Sequence, residues 1–164
     1  RPHGLFARAL GRKRYELTDH LGNVRATVSD KRLADWNGTA LQDYRPELLS
    51  HADYYAFGSL LPGRNYSSDS YRFGFNGKEK DDEVHGATGT SYDFGARMLD
   101  PRIGRWMSLD PLMTIFPHQS PYVAFDNNPI YYRDPDGKIA RPTGPFRLGM
   151  PFNPGFKVDN GFLD

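Results

Sequence analysis

Apolar residues alternate with polar ones in several short stretches of this chain, and no long three-to-four spacing of apolar positions runs anywhere along it. The pattern predicts strands joined by tight turns. Tyr15 and Leu17 share one strand face, Gly22-Asn23 offers a turn, and Val24, Ala26 and Val28 alternate on a return strand, so residues 15–30 read as a β-hairpin. Residues 31–52 are polar and mixed, with Trp36 and an Asn37-Gly38 pair, and are expected to form a loop or irregular excursion. A strand follows at 53–58 with Tyr55 and Phe57 on one side, and Leu60-Leu61-Pro62-Gly63 turns it. Tyr71, Phe73 and Phe75 set a strand over 71–77, and the charged run Lys78 to Glu83 is an exposed connection. Ser91 to Met98 and Gly104 to Ser108 form the next strand pair, turned at Asp100-Pro101.

The pattern changes after residue 111. Ser120 before Pro121 fits a cap followed by proline at the first helical position, which predicts one short helix near 120–127, stopped by Asn127-Asn128-Pro129. Ile130-Tyr131-Tyr132 is a last strand, closed by the turn Asp134-Pro135-Asp136-Gly137. Residues 139–164 hold Pro142, Pro145, Pro151 and Pro154, too many for a central strand. Their Phe146, Phe152, Phe156 and Phe162 are expected to dock an extended tail on a partner surface. Three parts result: a lead-in segment 1–14, a β-rich body 15–138 and the Pro/Phe-rich tail 139–164.

The 164 residues are enough for one domain with a real core. Aromatics at 14%, with 17 glycines and 13 prolines, favour short strands and turns over disorder. A net charge of +1 gives no field that would draw the chain to nucleic acid. The basic cluster Arg8, Arg12, Lys13 and Arg14 reads as a solvated segment. With no cysteine, disulfides, thiolate chemistry and Cys-based zinc sites are excluded. No apolar run approaches the ~20 residues of a membrane span. The chain begins at Arg1 rather than Met, which predicts a processed or partial polypeptide.

Candidate chemistry is sparse. The five histidines, His3, His20, His51, His85 and His118, are scattered, so no metal site is expected, and no phosphate loop or other cofactor motif is present. The aromatic stripes at 54–57, 71–75 and 122–132 suit core packing better than stacking on sugars, although glycan binding through Tyr54 or Tyr131 is the alternative use. Asn37-Gly38-Thr39 and Asn65-Tyr66-Ser67 match the glycosylation pattern, a match expected by chance, and Asn37-Gly38 reads as a turn.

The densest signal is a series of phrases: Tyr92-Asp93-Phe94-Gly95-Ala96-Arg97, then Asp100-Pro101 through Gly104-Arg105-Trp106, then Asp110-Pro111, Asn128-Pro129 and Asp134-Pro135-Asp136-Gly137. Together they resemble the core-associated domain of the Rhs (YD-repeat) family, and residues 75–83 resemble its Bacteroidota form. The resemblance implies a large exported polypeptide whose strand-turn-strand units spiral into a hollow shell, with this portion as partial shell and plug. It implies a non-enzymatic structural module bound to a larger surface or secreted protein that covers its sheet edges, such as an adhesin or secretion-system cargo. It also implies an alternative, the plug end of a toxin-delivery cage cleaved just beyond an Asp-Pro-x-Gly-Leu motif by nearby aspartates. The carboxylates at hand are Asp110, Asp126, Asp134 and Asp136, and Lys138 stands where that motif has leucine. Two close carboxylates resist joint ionisation, so one can serve as acid and the other as base. The competing expectation is that these aspartates only open and cap turns.

Overall fold

The computed structural model describes residues 10–68 and 71–143. It is mainly β and built from three antiparallel sheets. The first joins β1 (Arg14–Thr18), β2 (Val24–Trp36), β3 (Leu41–Tyr54) and β4 (Leu60–Ser67) in sequence order. The second is a small meander of β5 (Glu79–Lys80), β6 (Tyr92–Asp93), β7 (Met98–Asp100) and β8 (Arg105–Trp106). The third pairs β9 (Tyr132–Arg133) with β10 (Arg141–Pro142).

The hairpin expected at 15–30 is present. Asp19 organises its turn: Oδ1 accepts the N–H groups of Leu21 and Asn23, while Oδ2 accepts the Asn23 amide at 2.8 Å. Gly22 supplies the left-handed residue, at φ +80°. Residues 31–52 are not an irregular excursion. They are the outer part of a long β2–β3 hairpin, in which Arg32 pairs Pro46 and Trp36 pairs Leu41. A bulge lies between Val28 and Arg32, and Glu47 clips it by accepting from Ser29 Oγ at 2.7 Å and Lys31 Nζ at 3.2 Å. Polarity misled here because this arm is solvated on both faces, which removes the alternation that marks a half-buried strand.

Other boundaries also move. β3 ends at Tyr54, and the predicted turn at Leu60–Gly63 is instead the start of β4, with Pro62 on an edge strand where its missing donor is tolerated. Tyr71, Phe73 and Phe75 do not share a strand face. Phe73 makes a lone bridge to Glu79, and Phe75 enters the core from a one-turn 3₁₀ segment, Phe75–Gly77. The charged run contributes the short β5, with Lys80 half-buried. The short helix expected at 120–127 does not start at Ser120 and is reduced to one 3₁₀ turn at the end of that span. Ser120 Oγ accepts from Tyr122 N, but the chain then makes a left-handed 3₁₀ turn, Phe125–Asn127, that drives Phe125 inward.

The core is almost wholly aromatic: Phe75, Tyr92, Phe94, Trp106 and Phe125 are buried with Leu99 and Ala124. Tyr54, Phe57 and Tyr132 pack against it from the surrounding elements. Tyr54 donates to Val24 O at 2.9 Å, and Tyr92 donates to Gly58 O at 3.1 Å, which ties the first sheet to the core. Burial pushes both phenols well above the usual tyrosine range. Of the predicted tail, β10 pairs with β9, so the body extends a few residues past 138. Phe146, Phe152, Phe156 and Phe162 lie outside the described residues.

Candidate functional site around Arg97

The strand expected over Ser91 to Met98 is broken: the phrase 92–97 folds as a tight turn that pairs β6 with β7. Asp93 Oδ1 accepts Gly95 N at 2.6 Å, and Gly95 sits at φ +92°. The turn points Arg97 into the protein, where its side chain is only 2% exposed. An Arg so buried is stable only with several partners. Its guanidinium lies over the Trp106 ring, 4.5 Å from the centroid. Nε donates to Gly137 O at 2.5 Å, and Nη2 reaches Lys138 O at 3.3 Å and Asp134 Oδ2 at 3.5 Å. Nη1 forms an ion pair with Asp110 Oδ2 at 3.0 Å, without the alignment of a hydrogen bond. Arg97 therefore grips two consecutive carbonyls of the 134–139 strap and two carboxylates.

The strap is organised from its own side as well. Asp134 Oδ1 accepts the N–H of Lys138 at 3.0 Å and of Asp136 at 3.3 Å. Gly137, at φ +73°, passes so close to residues 94–97 that a Cβ there would meet Arg97 N at 3.0 Å. Lys78 Nζ donates to Pro135 O at 2.6 Å while its charge lies over Phe94. Burial raises the Asp134 carboxyl above the ordinary carboxylate range, and the adjoining Asp136 carboxylate adds to this. The two backbone N–H bonds and the Arg97 charge pull the other way.

Three of the four predicted carboxylates meet here. Asp110, Asp126 and Asp134 line one small cavity, about 60 Å³, with Arg97, Lys138 and Ile139. Asp136 does not line it. Its carboxyl adjoins that of Asp134, and its Oδ1 is buried without a hydrogen-bond donor. Asp110 Oδ1 also accepts Leu112 N at 2.7 Å, the turn role expected of an Asp before Pro111. Asp126 Oδ1 accepts Gln119 Nε2 at 2.5 Å. Gln119 was not singled out in the sequence, and Arg97 figured only as part of a phrase. The signal for Arg97 was a lone cation between Phe94 and Leu99, both core residues.

The remaining phrase residues build the frame. Asp100, buried, accepts from Arg102 Nη2 at 2.6 Å and Nε at 3.0 Å, and Pro101 opens the turn to Gly104. Gly104 allows Phe57 to lie against it, since a Cβ there would stand 2.8 Å from the ring. Arg105 Nη1 donates to Asn127 Oδ1 at 2.8 Å, Asn128 N donates to Phe125 O at 2.8 Å, and Pro129 is buried. Of the two tyrosines considered for glycan binding, Tyr54 packs against the core, and Tyr131 stands edge to face with Tyr132 at 4.8 Å between ring centroids.

No family model matches the chain. It is 31% identical over 143 residues to salivary gland surface protein 1 of Aedes aegypti, covering 85% of this chain and 4% of that protein. It is 37% identical over 95 residues to the toxin subunit YenC1 of Yersinia entomophaga, covering 56% of this chain and 9% of that subunit. Among solved structures, TcdB2-TccC3 superposes over 76% of this chain and 5% of its own with a TM-score of 0.56 and 29% identity. A chain of the Photorhabdus luminescens Tc holotoxin pore matches over 82% of this chain and 5% of its own, at a TM-score of 0.56 and 26% identity. The chain is thus related to Tc toxin components and spans less than a tenth of each of these relatives.

Proposed function

We propose that this chain is a structural module of a much larger exported toxin-complex-type assembly, the closing end of an Rhs-like β-shell. The observation that carries the reading is the division of the molecule. A compact aromatic plug is joined to a four-stranded sheet whose outer strands, β1 and β4, gain no further strand among the described residues. Such edges invite pairing and are stable in solution when covered. Relatives in multi-subunit toxins support a large partner, whether continuous with this chain or separate. The narrower roles of adhesin or secretion-system cargo, and a Bacteroidota source, belong to the same proposal. The test is native purification of the species carrying these residues, with intact mass. A polypeptide or fixed-stoichiometry complex several times larger than 18.6 kDa is expected. A free, monodisperse chain of that mass overturns the reading.

The Arg97 cluster favours a second reading, cleavage of the chain's own Lys138–Ile139 peptide bond. Arg97 Nη2 lies 3.3 Å from the carbonyl oxygen of that bond, where a guanidinium polarises the carbonyl and stabilises the oxyanion that follows attack. Asp134, in the same cavity, retains a proton more readily than an exposed carboxyl and suits donation to the departing amine. Asp110 holds Arg97 in place. Incubating the chain and following its mass tests this. Paired products ending at Lys138 and beginning at Ile139 support it, and a persistently intact chain overturns it.

A further inference from the structure

Asparagine is followed by glycine three times, at 37–38, 76–77 and 160–161, and the last pair lies outside the described residues. The dipeptide carries chemistry of its own. A glycine nitrogen, unhindered by a neighbouring Cβ, can attack the asparagine side-chain carbonyl and expel its amide nitrogen. The two described pairs stand in opposite surroundings.

Asn37-Gly38 lies at the tip of the β2–β3 arm, in the reversal between Trp36 and Leu41. Asn37 is exposed. Its Oδ1 accepts three hydrogen bonds, from Ala40 N at 2.9 Å, Thr39 N at 3.1 Å and Thr39 Oγ1 at 3.2 Å. Converging donors of this kind draw electrons from Cγ and stabilise an oxyanion that forms on Oδ1. The Gly38 N–H makes no hydrogen bond among the described residues, and a Cβ at Gly38 would have nothing within 4 Å. The electrophile is polarised, the nucleophile is free and water reaches both.

Asn76-Gly77 lacks each of these features. Gly77 N donates to Gly74 O at 3.0 Å, so the attacking nitrogen is engaged. Asn76 Oδ1 and Nδ2 are buried without a hydrogen-bond partner, so no donor would receive the oxyanion and solvent does not reach the leaving nitrogen. We infer that Asn37 is a self-modification site, where the turn at the arm tip promotes conversion of the side-chain amide to a carboxylate, and that the fold holds Asn76 inert.

The reaction needs only water. Hydroxide takes the Gly38 N–H proton, and the nitrogen bonds to Asn37 Cγ. The carbonyl electron pair moves onto Oδ1, toward the Thr39 and Ala40 donors. Collapse breaks the Cγ–Nδ2 bond, and Nδ2 leaves as ammonia with a proton from water, which restores the hydroxide. The succinimide ring then adds one water at either of its carbonyls and opens to an aspartyl or an isoaspartyl linkage. One water is consumed and one ammonia is released. The new carboxylate arrives at the end of a ladder where Asp35 already faces Asp43, so it adds like charge beside the exposed Trp36.

The test incubates the 164-residue chain at mildly alkaline pH and follows each asparagine by peptide mass mapping, with isoaspartate read by enzymatic methylation. Conversion is expected at Asn37 and absent at Asn76 over the same period. In concentrated urea the two are expected to react at similar rates, because both are then open-chain Asn-Gly. Thr39→Val keeps the side-chain shape, removes the hydroxyl donor and leaves the aromatic core untouched, and it is expected to slow conversion of Asn37 several-fold. An unconverted Asn37, or equal rates at Asn37 and Asn76 in the folded chain, overturns the assignment of the site. A Thr39→Val chain that converts as fast as wild type overturns the part given to the turn.

Discussion

Phe75 and Phe125 meet edge to face, with ring centroids 5.8 Å apart and planes at 75°, and each arrives on its own left-handed turn. Phe125 also contacts Phe57, Phe94 and Trp106, so the pair joins the segment after the first sheet to the meander. Truncating either ring, as Phe75→Ala or Phe125→Ala, is expected to cost about 3–5 kcal/mol. A double-mutant cycle by urea denaturation is expected to return a coupling of about 0.5–1.5 kcal/mol between them. Strict additivity contradicts the pairing.

Gly58 is pressed against the Phe75 ring of this pair. A Cβ there would stand 2.5 Å from Phe75 Cγ, and the backbone is at φ +99°. Gly86, at φ +64°, has nothing within 4 Å. Gly86→Ala is therefore expected to cost only the left-handed penalty, about 1–2 kcal/mol. Gly58→Ala adds overpacking of a further 1–3 kcal/mol or so. Equal denaturation midpoints for the two variants rule out the close approach.

Arg97 is the hub on which the strap depends. Arg97→Met leaves the half-buried Asp110 carboxylate and the buried Asp134 carboxyl without their cation and is expected to destabilise by about 3–5 kcal/mol. Adding Asp134→Asn removes one stranded charge and is expected to restore part of that loss. Arg97→Lys cannot span both carbonyls and both carboxylates with one ammonium, so it is expected to fall close to Arg97→Met. Full stability in Arg97→Lys contradicts a role for the planar fork.

Asp100 and Asp134 act in opposite directions with pH. Hydrogen bonds from Arg102 hold the Asp100 carboxyl below its ordinary range. Its contribution is present above the unfolded carboxyl value and is lost as pH falls through the lowered one. Burial holds Asp134 above its ordinary range, so its contribution is complete below the unfolded value and is lost as pH rises through the raised one. In urea midpoints measured against pH, Asp100→Asn is expected to flatten the loss on acidification. Asp134→Asn, whose amide resembles the protonated acid, is expected to remove the decline on the rising side. The same slope in both variants contradicts this assignment.

The candidate site was legible where local chemistry dictates a turn. Asp134 and Gly137 sit in the turn that their residue types announce, and Asp110 caps the turn that its proline announces, whereas the turn at Gly95 was hidden inside an expected strand. Asp110, Asp126 and Asp134 were selected for their charge and do converge. The exclusion of Asp136, and the recruitment of Gln119, depend on side-chain direction across segments that sequence spacing does not encode.

By itself, the sequence determined the β-rich character, the hairpin at 15–30 and most reversals of direction, because period-two alternation, Asp-Pro pairs and glycines act within a few residues. Only the tertiary structure decided the rest. Ser120-Pro121 is a sound helix start in isolation, yet burying the Phe125 ring against Phe75 and Trp106 outweighs local helix propensity and forces a left-handed turn. Likewise, nothing local assigns Arg97 to the strap at 134–139. A buried guanidinium must find acceptors, and the fold brings those of Gly137 and Lys138 within its reach.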